Sequence, residues 1–196
     1  MLNKINMKTS YKILLLFLFI GFHLLEEVSG QNIKTVLQLD PGENNPRNCE
    51  GDFIRLKDGR IMFIYTHFTG SSSSDFGSAH LAARFSRDNG QTWTDQDKVI
   101  VPNDGKMNVM SVSLLRLQNG DIALFYARKN SLSDCIPLMR ISKDEGETWS
   151  EPSPCITDRE GYFVLNNNRV LQLDNGRLIM PVALHRTSEG EDFNNN

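Results

Sequence analysis

The sequence predicts an all-β fold built from a repeated unit of 56 to 61 residues. An eight-residue pattern, Ser-x-Asp-x-Gly-x-Thr-Trp, occurs at 86–93 and again at 142–149, so its copies begin 56 residues apart. An Asp-Gly or Asn-Gly pair between alternating apolar residues occurs three times in step with it, at Gly59, Gly120 and Gly176. Such a pair is a strong hairpin signal. A fixed period of this kind indicates a repeat architecture rather than one continuous core.

The eight-residue segments have the composition of a tight turn bonded to itself. Ser and Asp side chains can satisfy backbone amides, Gly can adopt a positive φ, and Thr is suited to re-entering a strand. We expect the two tryptophans to pack the turn against its sheet rather than to stack on a ligand. The residues predicted to form these structural turns are Ser86, Asp88, Gly90, Thr92 and Trp93, and Ser142, Asp144, Gly146, Thr148 and Trp149.

Together, these two patterns resemble the sialidase (neuraminidase) superfamily, whose Asp boxes have the same eight-residue form. The resemblance extends from about Asn48 to His185. It implies a six-bladed β-propeller, of which this sequence contains only about the first three blades, because the third repeat has no box before Asn196. Residues 31–196 are therefore expected to be the N-terminal, incomplete part of a propeller domain.

Each repeat is expected to supply the strands of one blade, and a leading strand is predicted at 31–40. In each strand, apolar residues alternate with polar ones or form a short apolar run. The predicted strands are 52–56, 61–66, 80–85 and 98–101 in the first blade; 109–117, 122–127, 138–141 and a short piece before Cys155 in the second; and 162–173 and 178–184 in the third.

Residues 1–30 have the features of a secretory signal peptide. Three lysines precede the apolar run 13–25, and Val28-Ser29-Gly30 offers small residues for cleavage. The alternative is a membrane anchor, but this run is shorter than the roughly 20 residues that a spanning helix needs. We therefore expect a protein secreted to an extracellular or periplasmic space, without a stable membrane span.

Charge and cysteine content narrow the function classes. Without residues 1–30, the 21 basic and 24 acidic residues lose three lysines and two glutamates, which leaves a net charge near −4 and no basis for nucleic-acid binding. Cys135 and Cys155 could form a disulfide, or these two and Cys49 could all be free thiols. The histidines are scattered and no calcium-loop spacing is present, so we expect neither a metal nor a cofactor.

The functional site is expected on the loops at the end of the propeller where the inner strands begin. Counting from the hairpin glycines makes His67 and Arg128 equivalent, and each is followed by a carboxylate, Asp75 or Asp134. A guanidinium group can bind a carboxylate bidentately, and a carboxyl group can protonate a leaving oxygen. This recurrence predicts a pocket for an anionic sugar. The alternative is that these are ordinary solvated loop charges.

The resemblance adds roles for individual residues. It implies that Asp75 is the catalytic acid/base, that three arginines hold the sugar carboxylate, and that a tyrosine paired with a glutamate, contributed by later blades, is the nucleophile. Where the family has Arg-Ile-Pro, this sequence reads Pro-Arg-Asn-Cys-Glu-Gly-Asp at 46–52. Arg47 could reach in from there, whereas Glu50 and Asp52 are expected to oppose a bound carboxylate. The residues predicted to bind substrate are Arg47, Glu50, His67, Arg128, Asp134, Asn168 and Arg169.

These observations favour a secreted glycoside hydrolase of the exo-α-sialidase type. It is expected to cleave terminal sialic acid or a related acidic sugar from glycans. Two alternatives stay open: a propeller that binds carbohydrate without catalysis, and a propeller that binds a protein partner through the same face.

Overall fold

The computed structural model describes residues 33–187, which form twelve β-strands and contain no helix. The chain divides into two units, 1–35 and 36–196, and every described strand belongs to the second. The predicted signal peptide lies outside the described residues. In the part that is described, no helix has the length and apolarity needed to cross a membrane. The strands are β1 (Asn48–Arg55), β2 (Ile61–Phe68), β3 (Ala79–Ser86), β4 (Lys98–Val101), β5 (Asn108–Arg116), β6 (Ile122–Lys129), β7 (Cys135–Ser142), β8 (Ser153–Pro154), β9 (Gly161–Val164), β10 (Leu171–Gln172), β11 (Leu178–Ile179) and β12 (Ala183–Thr187).

The first two repeats each form an antiparallel meander, as their alternating pattern predicts. The first sheet has the order β1-β2-β3-β4, and β5, β6, β7 and β8 repeat this arrangement. The hairpin turns lie at the predicted glycines, where Gly59 and Gly120 both have a φ of 89°. Glycine suits this position because it carries no Cβ to oppose a positive φ. The inner strands β1 and β5 start earlier than predicted, at Asn48 and Asn108.

The third repeat forms a hairpin whose two strands are both interrupted. Its first strand is divided into β9 and β10, and its second into β11 and β12, so the continuous strands predicted at 162–173 and 178–184 are wrong in detail. β9 pairs with β12, and β10 pairs with β11. β9 also makes one parallel bridge to β7, which places the third repeat beside the second.

The leading strand predicted at 31–40 is absent over its described residues, 33–40. Ile33 and Val36 are exposed, at 99% and 39%, and Leu37 and Leu39 are only half-buried. A strand needs a neighbouring strand to take its backbone hydrogen bonds, and none of the described strands pairs with this segment. The strand prediction is therefore wrong for 33–40, because apolar residues in a short segment do not form a strand without a pairing partner.

The main apolar core lies between the first two sheets. It combines Ile54, Met62 and Leu81 of the first with Val112 and Tyr126 of the second, and all five are at least nine-tenths buried. Trp149 packs against this cluster, which fits the structural role predicted for it. Cys49, Cys135 and Cys155 are free thiols, so the disulfide alternative is wrong.

Each eight-residue box is bonded internally in the way its composition predicts. In the second box, Ser142 Oγ donates to Asp144 Oδ1 at 2.9 Å and accepts the Gly146 amide at 2.8 Å. Asp144 also accepts the amide of Thr148 at 2.8 Å and the Thr148 hydroxyl. The first box repeats this network, with Thr92 in the place of Thr148. Each Asp box is therefore a structural turn.

Acid is expected to weaken the second box. The Thr148 hydroxyl and amide lower the pKa of Asp144 to about 2, below the 3.9 of a free Asp. A lowered pKa in the folded state stabilises the fold above pH 4, and that contribution disappears as the pH falls toward 2. The difference in unfolding free energy between wild type and Asp144→Ala should therefore narrow between pH 5 and pH 2. Urea unfolding of the full-length protein at several pH values measures it. For the control variant Asn175→Ala, at an exposed hairpin residue without an ionisable side chain, the difference should stay constant, and a constant difference for Asp144→Ala would contradict the prediction.

Buried polar residues join neighbouring blades. Asp52 in β1 is 5% exposed and accepts the Leu114 amide of β5 at 2.7 Å. Ser113, which occupies the same place in β5, accepts the amide of Arg169 in the third repeat at 3.1 Å. Asp52 was expected to face a bound anion. It instead satisfies a backbone amide inside the blade interface, where an unpaired N–H is costly.

Candidate active site

Inner strands β1 and β5 each carry a residue in the left-handed region at the equivalent position, and a third such residue lies between β9 and β10 of the third repeat. These residues are Glu50, Ser111 and Asn168, with φ of 49°, 66° and 50°. The pairing register shifts at this point in β1 and in β5, as at a β-bulge. Non-glycine residues rarely adopt a positive φ, and bulges re-aim side chains and are frequent beside active sites. In β1 and β5, the local backbone therefore directs the side chains of Glu50 and Ser111 toward one location.

A small pocket of about 110 Å³ lies at this location. Glu50 reaches from the first blade to Ser111 of the second, and the Ser111 hydroxyl donates to Glu50 Oε2 at 2.8 Å. The third repeat closes the pocket with β9. The lining residues are Glu50, Asp75, Met110, Ser111, Ala127, Lys129, Cys135, Tyr162, Phe163, Val164, Leu165 and Asn166.

Asp75 is one of the residues that line this pocket, and its carboxyl group is accessible. Its side chain is 60% exposed, and Arg47 Nη1 donates to its Oδ1 at 2.7 Å. The same nitrogen of Arg47 donates to the Ser73 carbonyl at 3.0 Å. The guanidinium lies over the Phe68 ring, 4.5 Å from its centroid. Arg47 therefore fixes both the Asp75 carboxylate and the loop that carries it.

Two buried side chains of the second blade hold the Asp75 backbone. Asn108 Nδ2 donates to the Asp75 carbonyl at 2.9 Å and to the Gly77 carbonyl at 2.8 Å. Lys129 Nζ donates to the same Asp75 carbonyl at 2.8 Å. Asn108 and Lys129 are 0% and 3% exposed. The loop of one blade is thus anchored by the next, which positions Asp75 more firmly than a free surface loop.

Lys129 is the site residue that sequence reasoning missed. Burial lowers the pKa of Lys129. Its ammonium group lies 5.0 Å from the centroid of Phe76 and 5.6 Å from that of Tyr162. The sequence does contain an indication of it. Lys129 lies on the same face of the apolar strand β6 as Ala127 and Phe125, which are both buried. A charge at an inward position of a strand is rarely tolerated without a specific role.

The structure does not bring the remaining predicted residues into this pocket. His67 Nδ1 lies 2.8 Å from Asp97 Oδ2, and the His67 ring stacks on His80 at 4.6 Å. Arg128 and Asp134 line a separate open groove of about 640 Å³. Asn168 and Arg169 follow the lining residues in sequence, and both are exposed. The residues that meet at the pocket are therefore Glu50 and Asp75, with Arg47 bonded to Asp75.

This arrangement has the groups that proton transfer and hydrogen bonding to a polar ligand require. An accessible carboxyl group beside a small polar pocket can deliver a proton to a leaving oxygen. The neighbouring acceptors and donors can orient hydroxyl groups. Among the described residues, no cluster of His, Cys, Asp and Glu has the arrangement of a metal site.

Comparison with protein families identifies residues 84–194 as a BNR repeat-like domain. That match covers more than half of the sequence. The chain belongs to the BNR repeat-like domain family. No curated protein sequence gives a significant match.

Solved structures show the same fold. A Dyadobacter fermentans protein of unknown function matches with a TM-score of 0.60 and 19% identity, over 74% of this chain and 48% of its own. The Hadza microbial sialidase Hz136 matches with a TM-score of 0.58 and 16% identity, over 74% and 34%. Trypanosoma rangeli sialidase, solved with 2,3-difluorosialic acid as a covalent intermediate, matches at 0.53 and 18%, over 71% and 26%.

These similarities confirm the predicted fold class and the resemblance to the sialidase superfamily. This BNR repeat-like chain folds as about three blades of a sialidase-like β-propeller. The matched region spans less than half the length of each of these three solved chains. At identities below 20%, these matches show that the folds are similar. They do not assign roles to individual site residues.

Proposed function

We propose that the full-length protein is a secreted glycoside hydrolase of the sialidase type, acting on a terminal acidic sugar such as sialic acid. The observation that carries this proposal is the position of Asp75. Its carboxyl group is exposed at a polar pocket, and its loop is held by three side chains from outside that loop. Fixed geometry of this kind is what a general acid requires. Matches to sialidases of known structure support the same reaction class.

In the proposed reaction, protonated Asp75 donates its proton to the glycosidic oxygen. The bond between that oxygen and the anomeric carbon breaks, and the aglycone leaves with the proton. Water supplies the hydroxyl group of the released sugar and gives its other proton to the Asp75 carboxylate, which restores the acid, so the overall reaction is hydrolysis. Arg47, bonded to Asp75 in the ligand-free protein, is the group beside the pocket that can turn to a substrate carboxylate, because guanidinium groups bind carboxylates well.

Release of a fluorescent aglycone tests this proposal. The full-length secreted protein should be assayed on sialosides and uronides in parallel, with Asp75→Ala alongside. We expect release from a sialoside that is lost in the variant. Release from a uronide alone would keep the reaction class and change the sugar. Binding of a sugar without release from any glycoside would contradict hydrolysis and favour a carbohydrate-binding propeller.

A further inference from the structure

Glu50 is a carboxylate committed to the pocket by the backbone and by a buried partner. Its φ of 49° and the φ of 66° at Ser111 are both unfavourable for residues with a Cβ. Ser111 is 7% exposed, so its hydroxyl is fixed when it donates to Glu50 Oε2 at 2.8 Å. Strain of this kind persists where the surrounding structure holds it, often at functional sites.

Glu50 keeps most of its hydrogen-bonding capacity for a ligand. A carboxylate has about four acceptor positions, and Ser111 fills one of them. Within residues 33–187, no Lys, Arg or His nitrogen forms an ion pair with Glu50. Lys129 lines the same pocket, but its ammonium donates to the Asp75 carbonyl and to Met110 Sδ. The Glu50 wall therefore accepts hydrogen bonds and carries a negative charge.

This chemistry selects a particular side of a sugar. Hydroxyl groups donate to a fixed carboxylate, whereas a carboxylate on the ligand would be repelled by it. Asn166, also in the pocket lining, has a side-chain amide that can donate to and accept from sugar hydroxyl groups. We propose that Glu50, oriented by Ser111, is a specificity-determining residue that binds a hydroxyl-bearing edge of the substrate and keeps its anionic group away from this wall. This inference rests on the proposed function. It specifies which side of the substrate contacts the first two blades.

Deletion of single hydroxyl groups from the substrate tests it. For the full-length protein, kcat/KM is measured on an aryl glycoside that it cleaves and on analogues that each lack one ring or side-chain hydroxyl. The variants are Glu50→Gln, which removes the charge at constant length, and Glu50→Asn, which shortens the side chain and tolerates a positive φ. The control is Glu151→Gln, at an exposed residue after the second box.

One analogue should reveal the hydroxyl that Glu50 binds. Wild type should lose about 10- to 100-fold in kcat/KM on that analogue, the size expected for a hydrogen bond to a charged group. Glu50→Asn should lose a similar factor on the parent glycoside and nothing further on this analogue, because the two changes remove the same interaction. On the parent glycoside, the kcat/KM of Glu50→Gln should lie between those of wild type and Glu50→Asn. The kcat/KM of Glu151→Gln should match wild type on every substrate.

The failure of this inference is distinguishable from failure of the proposed function. Suppose that Asp75→Asn loses activity, but that each Glu50 variant loses the same factor in kcat/KM as wild type on every analogue. Only the proposed role of Glu50 is then wrong. If the protein cleaves no glycoside, the proposed hydrolysis fails, and binding of the free sugars is measured by saturation-transfer NMR. An affinity that Glu50→Asn leaves unchanged, or no sugar binding at all, would then overturn the inference too. Thermal unfolding of each variant confirms that it is folded.

Discussion

Asp75→Asn is expected to slow aglycone release by about 10²- to 10⁴-fold when the leaving group is a simple alcohol. An amide cannot deliver the proton that such a leaving group needs. A dinitrophenolate leaves without protonation, so the variant should lose far less on a dinitrophenyl glycoside. The measurement is kcat/KM over a series of aryl and alkyl glycosides. For the variant, a plot of log kcat/KM against leaving-group pKa should be much steeper than for wild type.

The contrast between leaving groups separates proton donation from simple binding. Asn has nearly the shape of Asp, and the Asp75 backbone keeps its bonds to Asn108 and Lys129. The matched variant is Asp134→Asn, on the corresponding loop of the second blade but in a different groove. It is expected to change the rate by the same factor for every leaving group. An equal loss across the series for Asp75→Asn would make Asp75 a binding residue and contradict its role as the acid.

The blades themselves could be predicted from the sequence because their determinants are local. Alternating apolar residues set the strands, Gly59 and Gly120 set the hairpins, and the two boxes close on themselves through contacts only two to four residues apart. In each of these interactions, the residues involved lie within one short segment of the sequence. The absent strand at 33–40 shows the limit, since a strand exists only where another strand pairs with it.

The pocket could be predicted only in part because its contacts are distant in sequence. Counting from the hairpin glycine led to Arg128, whereas the neighbouring Lys129 faces the pocket. Successive side chains of a strand point to opposite faces. A prediction that is wrong by one residue therefore selects a side chain in the outer groove instead of one in the pocket. His67 illustrates the same effect, because it shares the phase of Arg128 and meets Asp97 instead. Asp75 lines the pocket, but the 54-residue separation from Lys129 leaves no local signal for their contact.

Asp52→Ala is expected to lower the free energy of unfolding by about 1 to 3 kcal/mol, the cost of leaving a buried backbone donor unpaired. Asp52 Oδ2 accepts the Leu114 amide at 2.7 Å across the interface between the first two blades, and Oδ1 accepts the Phe53 amide. Urea unfolding of the full-length protein followed by tryptophan fluorescence measures the change. Asp95→Ala, at an exposed residue of the first repeat, should stay within about 0.5 kcal/mol of wild type.

Asp52→Asn should cost less than Asp52→Ala, and its cost should depend on pH. The amide oxygen can still accept the Leu114 N–H, which is the more deeply buried donor. Burial raises the pKa of Asp52, so its charged form destabilises the fold increasingly as the pH rises above about 4. Asn carries no charge, so the difference between wild type and Asp52→Asn should shrink from pH 4 to pH 7. A loss equal to that of Asp95→Ala for both Asp52 variants would show that this bond does not hold the blades together. In that case, the packing of Ile54 and Val112 would have to set the alignment of the two strands that carry Glu50 and Ser111.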